Sequence, residues 1–324
     1  MRSLVVGGAG FIGSHLVGAL VPRGPVTVYD DLSVGRRAWL APHLDAGRVE
    51  LVVGDALDLP RLTEVARGHD VAFHLAANPE ARSGLARTRL DLEQGTTTCY
   101  HALEACRLAG VPRFVLSSSG TVYGDTPRVC REEDLGALPI SLYGASKLAC
   151  EALTSAYVEC FGLEARIFRF GNVVGPHGTH GAALDFLRKL ERDGTTLEVL
   201  GDGRQRKPYL HVSDCVAGIL HGLDHGAAGL EIYNLTPPDT TTVARIAELC
   251  VAASPYPGAR IRYTGGDRGW PGDIPRSTMA PDKLAAAGFR VRLGSDDAVR
   301  RAVGELAAEV FGPRARPLEP GPRS

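Results

Sequence analysis

Tyr143 and Lys147 stand four residues apart in Tyr143-Gly-Ala-Ser-Lys147, a stretch that opens a helical pattern continuing through Leu148 and Leu153. Residues four apart share one face of a helix, so this phenol and ammonium can face the same cleft. A phenol ordinarily ionises near pH ~10 and is a poor base at neutrality. A cation about 4 Å away, at an effective dielectric of about 20, stabilises a phenolate by about 4 kcal/mol. Such a pair can act as a general acid/base near pH ~7. Ser119 closes the serine tip Ser117-Ser-Ser119 of the preceding β-rich run and can hydrogen-bond a reacting hydroxyl, holding it against the phenol. Tyr and Lys at this spacing also occur by chance on many helices. What raises the pair above chance is the turn that precedes it in the chain.

That turn is Gly7-Gly-Ala-Gly10-Phe-Ile-Gly13, which follows a short apolar strand and opens a helix. Its GxxGxxG spacing is a variant of the dinucleotide fingerprint: the glycines permit tight turning, close approach of backbone to a pyrophosphate, and close helix–strand contact. The helix N-terminus then offers free N–H groups and partial positive charge to phosphates. Asp30 ends the second strand, about 20 residues on, where a carboxylate accepts hydrogen bonds from the adenosine ribose hydroxyls and repels a 2′-phosphate. NAD is therefore expected rather than NADP, although Arg36 and Arg37 lie close enough to hold a phosphate. Asp55, after the third strand, is expected near the adenine. The positive charge of an oxidised nicotinamide would act on Tyr143 in the same direction as Lys147.

These residues need a scaffold. Leu4–Val6, Val26–Tyr29, Val49–Val53, Val71–Leu75, Arg113–Leu116 and Arg166–Phe170 read as strands separated by helical stretches. That alternation predicts right-handed βαβ units and a doubly wound α/β Rossmann sheet of parallel strands. Ligands sit beyond the carboxyl ends of such strands. The same logic places cofactor contacts at Phe11 and Ile12, at Asp31, Ser33 and Gly35, at Ala56, at Leu75, Ala76 and Ala77, and at Ser117 and Phe170. Residues 1–172, with a return at about 210–235, form the expected NAD-binding domain. Residues 173–209 and 236–311 form a smaller α/β substrate domain, in which Thr242 caps a helix from Val243. The Pro-, Gly- and Arg-rich residues 312–324 are expected to be a disordered tail.

Bulk composition narrows the function classes. A net charge of −1 over 324 residues argues against electrostatic binding of nucleic acid or an anionic membrane. No run approaches the ~18 apolar residues that span a bilayer, and nothing resembles a signal peptide. Seven cysteines without a Cys-x-x-Cys pair read as reduced thiols of a cytoplasmic enzyme, with no metal site.

Taken together, Gly7–Ser14, Ser117-Ser-Ser-Gly-Thr-Val-Tyr-Gly124, Tyr143–Lys147, Gly171-Asn-Val-Val-Gly-Pro176 and Gly201-Asp-Gly-Arg-Gln-Arg-Lys207 resemble motifs of the extended short-chain dehydrogenase/reductase family. The resemblance is to its NAD-dependent nucleotide-sugar epimerases and dehydratases, and among these to the UDP-galactose (UDP-glucose) 4-epimerases. It implies Tyr143, Lys147 and Ser119 as catalytic residues and Thr121 near the sugar. It implies Asn172, Lys207 with its neighbour Arg206, and Arg268 as contacts to the substrate diphosphate. Lys207 stands where the family usually has arginine, so it supplies charge without a planar fork. The 4,6-dehydratases carry an Asp-Glu pair where this chain has Gly120 and Thr121, and no asparagine occurs near Gln94-Gly95 where one is usual. Ser277 occupies a gatekeeper position and is small, leaving room for an N-acetylated sugar. The resemblance also implies a homodimer, for which Thr97–Leu108 and Leu148–Cys160 are the expected faces.

Overall fold

The computed structural model describes residues 1–134 and 138–319. The first half alternates β1 (Ser3–Val6), α1 (Phe11–Leu20), β2 (Val26–Asp30), α2 (Arg37–Leu44), β3 (Val49–Val53), α3 (Leu59–Ala66) and β4 (Val71–His74). A short α4 (Ser83–Ala86), then α5 (Thr98–Ala109), β5 (Arg113–Ser119), α6 (Leu142–Phe161) and β6 (Glu164–Phe170) follow. The second half comprises β7 (Asn172–Val174), α7 (Ala182–Arg192), β8 (Thr196–Val199), β9 (Arg206–Lys207), β10 (Tyr209–His211), α8 (Val212–His225), β11 (Leu230–Leu235) and β12 (Thr241–Thr242). It closes with α9 (Val243–Ala253), β13 (Arg260–Tyr263), α10 (Asp282–Ala286) and α11 (Ser295–Phe311).

Seven of these strands form one parallel sheet in the order β11-β6-β5-β4-β1-β2-β3, the doubly wound arrangement expected from the alternation. The order reverses between β1 and β4. Their carboxyl ends, at Gly7 and Leu75, therefore border the crevice that this topology leaves for a ligand. Strands of the interior are apolar on both faces because both are covered. Val5, Val28, Phe73 and Val115 pack against α1 and α8, while Leu4, Leu116 and Ile167 pack against α3, α5 and α6. Pro22 has no N–H to continue α1, which tightens into a 3₁₀ turn at Val21–Arg23.

A third core lies apart from the sheet, formed by the inner faces of α7, α9 and α11 with Leu197, Val199 and Tyr209. The chain returns from it through α8 to β11, whose Asn234 and Leu235 pair with Arg169 and Phe170 of β6. A small fourth cluster, Val122, Tyr123, Cys130 and Met279, ties residues near 279 back across the main sheet.

β5 runs on through Ser117, Ser118 and Ser119, which pair with Phe168, Arg169 and Phe170, so Ser119 stands at the strand tip as expected. One expectation changes. Residues 312–319 are not a disordered tail. Gly312–Arg314 make a 3₁₀ turn, Leu318 packs on the third core, and the Arg316 N–H donates to the Ala253 carbonyl. Residues 320–324 lie outside the described residues.

Candidate active site

The glycine turn is shaped by contact rather than by flexibility. Gly7 has φ +81°, and a Cβ there would stand 2.5 Å from the Ala76 amide nitrogen. A Cβ on Gly13 would stand 2.3 Å from the Gly7 carbonyl oxygen. These two glycines set how closely α1 approaches β1 and β4. Gly10 meets only the Gly7 oxygen at 3.4 Å, so its outer side is open toward the cleft. Gly10 is also the N-cap of α1 and provides no side-chain cap. The first-turn N–H groups are thus left to an external acceptor, as a pyrophosphate site requires.

Asp30 is buried at the end of β2. One carboxylate oxygen accepts the Ala9 N–H at 2.9 Å and the other accepts the Leu32 N–H at 2.9 Å. Each oxygen retains a lone pair, and the residue lines the cleft with Asp31, Ser33 and Gly35. Burial pushes the Asp30 carboxyl up from its ordinary value, opposed by the Leu32 and Ala9 amides. The sign for folding follows: ionisation costs more in the folded chain, so this group favours the fold below the unfolded pKa and loses that contribution as pH rises through the folded one. Ligand binding has the opposite sign, because the carboxylate accepts from ribose hydroxyls more strongly than the protonated acid, one of whose oxygens becomes a donor. Affinity for NAD is therefore expected to fall on acidification, beginning at a higher pH than for a free carboxyl. Asp30→Asn is expected to bind about tenfold or more weakly at neutral pH and to lose this pH dependence. Fluorescence titration with NAD at stepped pH checks both.

Tyr143 and Lys147 lie in the first turns of α6, whose N-cap Ser141 accepts the Gly144 N–H at 3.1 Å. The Lys147 ammonium is 5.8 Å from the centre of the Tyr143 ring. It is buried, donates to the Ser117 carbonyl at 2.8 Å, and has two further N–H groups to offer. His74, beneath it, is pushed down to about 3 by burial and then by the Lys147 charge. It is therefore neutral and adds no second cation.

Ser119 accepts from both the Thr121 N–H (3.2 Å) and the Thr121 hydroxyl (3.0 Å). With its acceptor capacity used, its own hydrogen is left to donate to a substrate oxygen. Behind it, the Ser118 hydroxyl donates to Glu151 at 2.5 Å. Glu151 also binds Arg169 through Nε and Nη2 (2.7 Å at the shortest), and Arg169 donates to the Tyr123 hydroxyl at 2.8 Å. Tyr123 in turn donates to Asn234 at 2.7 Å. Burial pushes the Tyr123 phenol up to about 12, so it stays a donor.

The glycine turn, Asp30, Ser119, Tyr143 and Lys147 converge on one cleft of about 680 Å³. Gly7, Gly10, Phe11, Ile12 and Gly13 line it, as do Asp55, Ala56, Leu75, Ala76, Ala77, Ser117 and Phe170. Ser119, Thr121, Tyr143, Lys147, Asn172, Lys207 and Ser277 complete the set of expected residues found there.

The two arginines expected at the diphosphate are elsewhere. Successive residues of a strand face opposite sides, so with Lys207 turned into the cleft Arg206 faces outward, where it lines a separate surface depression. Arg268 is held on Asp125 at 2.7 Å and on the Asp273 carbonyl at 3.2 Å, and it does not line the cleft. Lys207 itself is bound to Asp273 at 2.5 Å. Sequence reading missed three cations that line the cleft: Arg82 and Lys189 are paired with Glu80 and Asp185, while Arg188 of α7 has no ion-pair partner among the described residues. Its signal was the amphipathic period of α7, whose Leu184, Leu187 and Leu190 are buried. Gln94, also unassigned, reaches the cleft because Leu92–Thr97 form a π-helical turn that rotates the face presented.

Comparison with known proteins adds an independent line. Residues 3–236 match the family described as the NAD dependent epimerase/dehydratase family. A UDP-glucose 4-epimerase of Mycolicibacterium smegmatis is 33% identical over 249 residues, 75% of this chain and 79% of that protein. A crystal structure of a UDP-galactose 4-epimerase superposes with a TM-score of 0.85 at 36% identity, covering 96% of this chain and 100% of that one. The dTDP-glucose 4,6-dehydratase DesIV of Streptomyces venezuelae, solved with NAD and TYD bound, superposes with a TM-score of 0.87 at 30% identity, covering 96% and 98%.

Proposed function

Since the chain belongs to the NAD dependent epimerase/dehydratase family, we propose that it is a nucleotide-sugar 4-epimerase, with UDP-glucose and UDP-galactose as the pair to test first. One observation carries the choice of epimerase. The positions where a dehydratase needs an added acid and base hold Gly120 and Thr121, and a side chain at Gly120 would have to displace Met279, since its Cβ would lie 2.7 Å from the buried Met279 sulfur. The similarity to epimerases supports the same reading.

The residues present fit NAD: an uncapped helix N-terminus at a glycine turn, a buried carboxylate at the end of β2, and a buried ammonium with free N–H groups. When bound, NAD supplies the hydride acceptor and donor that inversion at a carbinol carbon requires. Tyr143 takes the proton of the sugar 4-hydroxyl and returns it after the sugar has turned its other face. Lys147 places its positive charge beside the Tyr143 ring, 5.8 Å from its centre. Ser119, with its hydrogen free, donates to the same sugar oxygen in both halves of the cycle. Asn172 and Lys207, which line the cleft, hold the diphosphate, with Arg188 as the added cation. Small Ser277 leaves room for N-acetylated sugars.

Leu92, Tyr100, Leu108 and Phe161 are exposed on or beside α5 and α6, which supports pairing of two copies there. Among the described residues no helix is long and apolar enough to cross a membrane. The free cysteines, all but Cys160 buried, support a cytoplasmic setting.

The test is incubation of the purified protein with UDP-glucose and no added cofactor, followed by chromatography of the products. UDP-galactose is expected, reaching the same ratio from either direction. Net accumulation of NADH, a dehydrated or decarboxylated product, or no turnover across a panel of nucleotide sugars overturns the proposal.

A further inference from the structure

Arg206 faces away from the cleft, and its surroundings are chemically unusual. It sits on β9 between two neighbours: Thr242 of β12 pairs with it on one side, and Arg276 forms a parallel bridge with it on the other. The Arg206 N–H donates to the Pro275 carbonyl at 2.8 Å, and the Ser277 N–H donates to the Arg206 carbonyl at 3.2 Å. Side chains directly opposite on neighbouring strands lie on the same face, and like charges so placed are destabilising. Arg204, in the loop that leads into β9, lines the same depression. The three arginines line one depression together with Gly203, Thr242 and Ala244.

All three arginines are exposed, and among the described residues none has a carboxylate within ion-pair distance. The one carboxylate in the depression is Asp202, which has an oxygen committed to the Arg204 N–H at 2.9 Å. The helix α9 starts here. Its opening N–H groups are already taken, by the Gln205 and Gly203 carbonyls and by the Thr242 hydroxyl oxygen. The helix therefore contributes only the positive end of its dipole. Thr242 keeps its hydroxyl hydrogen to donate. No aromatic or large aliphatic side chain lines the depression, so its recognition chemistry is that of the guanidiniums.

We propose that Arg204, Arg206 and Arg276 form a second anion site, for a phosphate-bearing ligand of about diphosphate size, recognised through its phosphate oxygens alone. Bidentate guanidinium–phosphate bonds convert an unfavourable cluster of like charges into a favourable one. The site lies back to back with the cleft. Across the same short ribbon, Lys207 and Ser277 face inward while Arg206 and Arg276 face outward. An anion that clamps Arg206 to Arg276 fixes the register of the strand that carries the cleft cation and the residue beside the sugar.

The experiment is calorimetric titration of inorganic pyrophosphate into the full-length protein saturated with NAD, at an ionic strength of about 0.15 M, where the screening length is about 8 Å. It is repeated with R204Q/R206Q/R276Q and with Lys207→Ala. Saturable binding is expected in the wild type and in Lys207→Ala, and binding at least about tenfold weaker in the triple variant. UDP is expected to bind this site no more tightly than pyrophosphate. If the triple variant titrates like the wild type, or Lys207→Ala alone removes all binding, the site does not exist as proposed. Base-dependent affinity lost with the arginines would also overturn recognition through phosphate alone. Should the triple variant fail to fold, Arg276→Gln alone is read by the same comparison. A thermal shift with pyrophosphate gives the second readout: it is expected to stabilise the wild type more than the arginine variant, and equal shifts count against the site.

Discussion

Tyr143→Phe is expected to lower turnover by about 10²–10⁴-fold while leaving NAD bound as tightly as in the native protein. The substitution removes one oxygen and keeps the ring. Lys147 is held independently, through its bond to the Ser117 carbonyl, so the helix start and the ammonium stay in place. The glycine turn and Asp30, which hold the far end of the dinucleotide, are untouched. Steady-state assay by product chromatography, with bound cofactor measured after denaturation, separates chemistry from binding. A variant retaining more than a few per cent of activity contradicts the role assigned to Tyr143. Lys147→Ala is the useful contrast: it removes both the charge beside the phenol and N–H donors facing the cofactor, so activity and NAD retention should fall together.

Glu151→Ala is expected to destabilise the fold by about 3–5 kcal/mol, because it strands a buried guanidinium. Glu151 and Arg169 are 5% exposed each, which leaves water no access to compensate the lost partner. The loss reaches the site as well. Glu151 lies one turn beyond Lys147 on α6, and it accepts the hydroxyl of Ser118, the neighbour of Ser119. One carboxylate thus joins the helix carrying Tyr143 to the strand tip carrying Ser119. Glu151→Gln keeps the shape and loses the charge, so it should fall between the native protein and the alanine variant in both stability and turnover. Replacing the pair together, Glu151→Leu with Arg169→Met, should cost less stability than Glu151→Ala alone, since no unpaired charge remains. Urea denaturation midpoints read the first effect and turnover the second. An alanine variant as stable as the native protein would show the ion pair to be dispensable.

The parts of this molecule legible in its sequence are those governed by local rules. The sheet followed from short apolar runs alternating with helical periods, and the glycine turn from spacing that only a strand–turn–helix corner needs. Asp30 was legible because distance along the chain fixes the end of β2. Tyr143 and Lys147 were legible because helix geometry fixes their common face. What failed were inferences across loops. Arg206 and Lys207 are neighbours in sequence and equally charged, and only the register of a two-residue strand decides which one enters the cleft. Arg268 belongs to a loop whose partner, Asp125, is 143 residues away. Arg188 was passed over because a cation on an amphipathic helix ordinarily marks the solvent side, and here the solvent side is the cleft wall. The ordering of residues 312–319 depends on a carbonyl of α9 and on a core that composition does not reveal.

The bond between Tyr123 and Asn234 spans 111 residues, and it bears on how the protein is made. The ribosome delivers the strands that border the cofactor early, and a nascent chain can pair β1 through β6 while the rest is still being synthesised. The turn after Ser119 has no such freedom. Its tyrosine lacks an acceptor until β11 emerges, and Cys130 lacks its bridge until Met279 does. The turn after Ser119 is therefore fixed only once β11 and the residues near 279 have been made, and until then the edge of β6 that β11 covers is exposed to the cell.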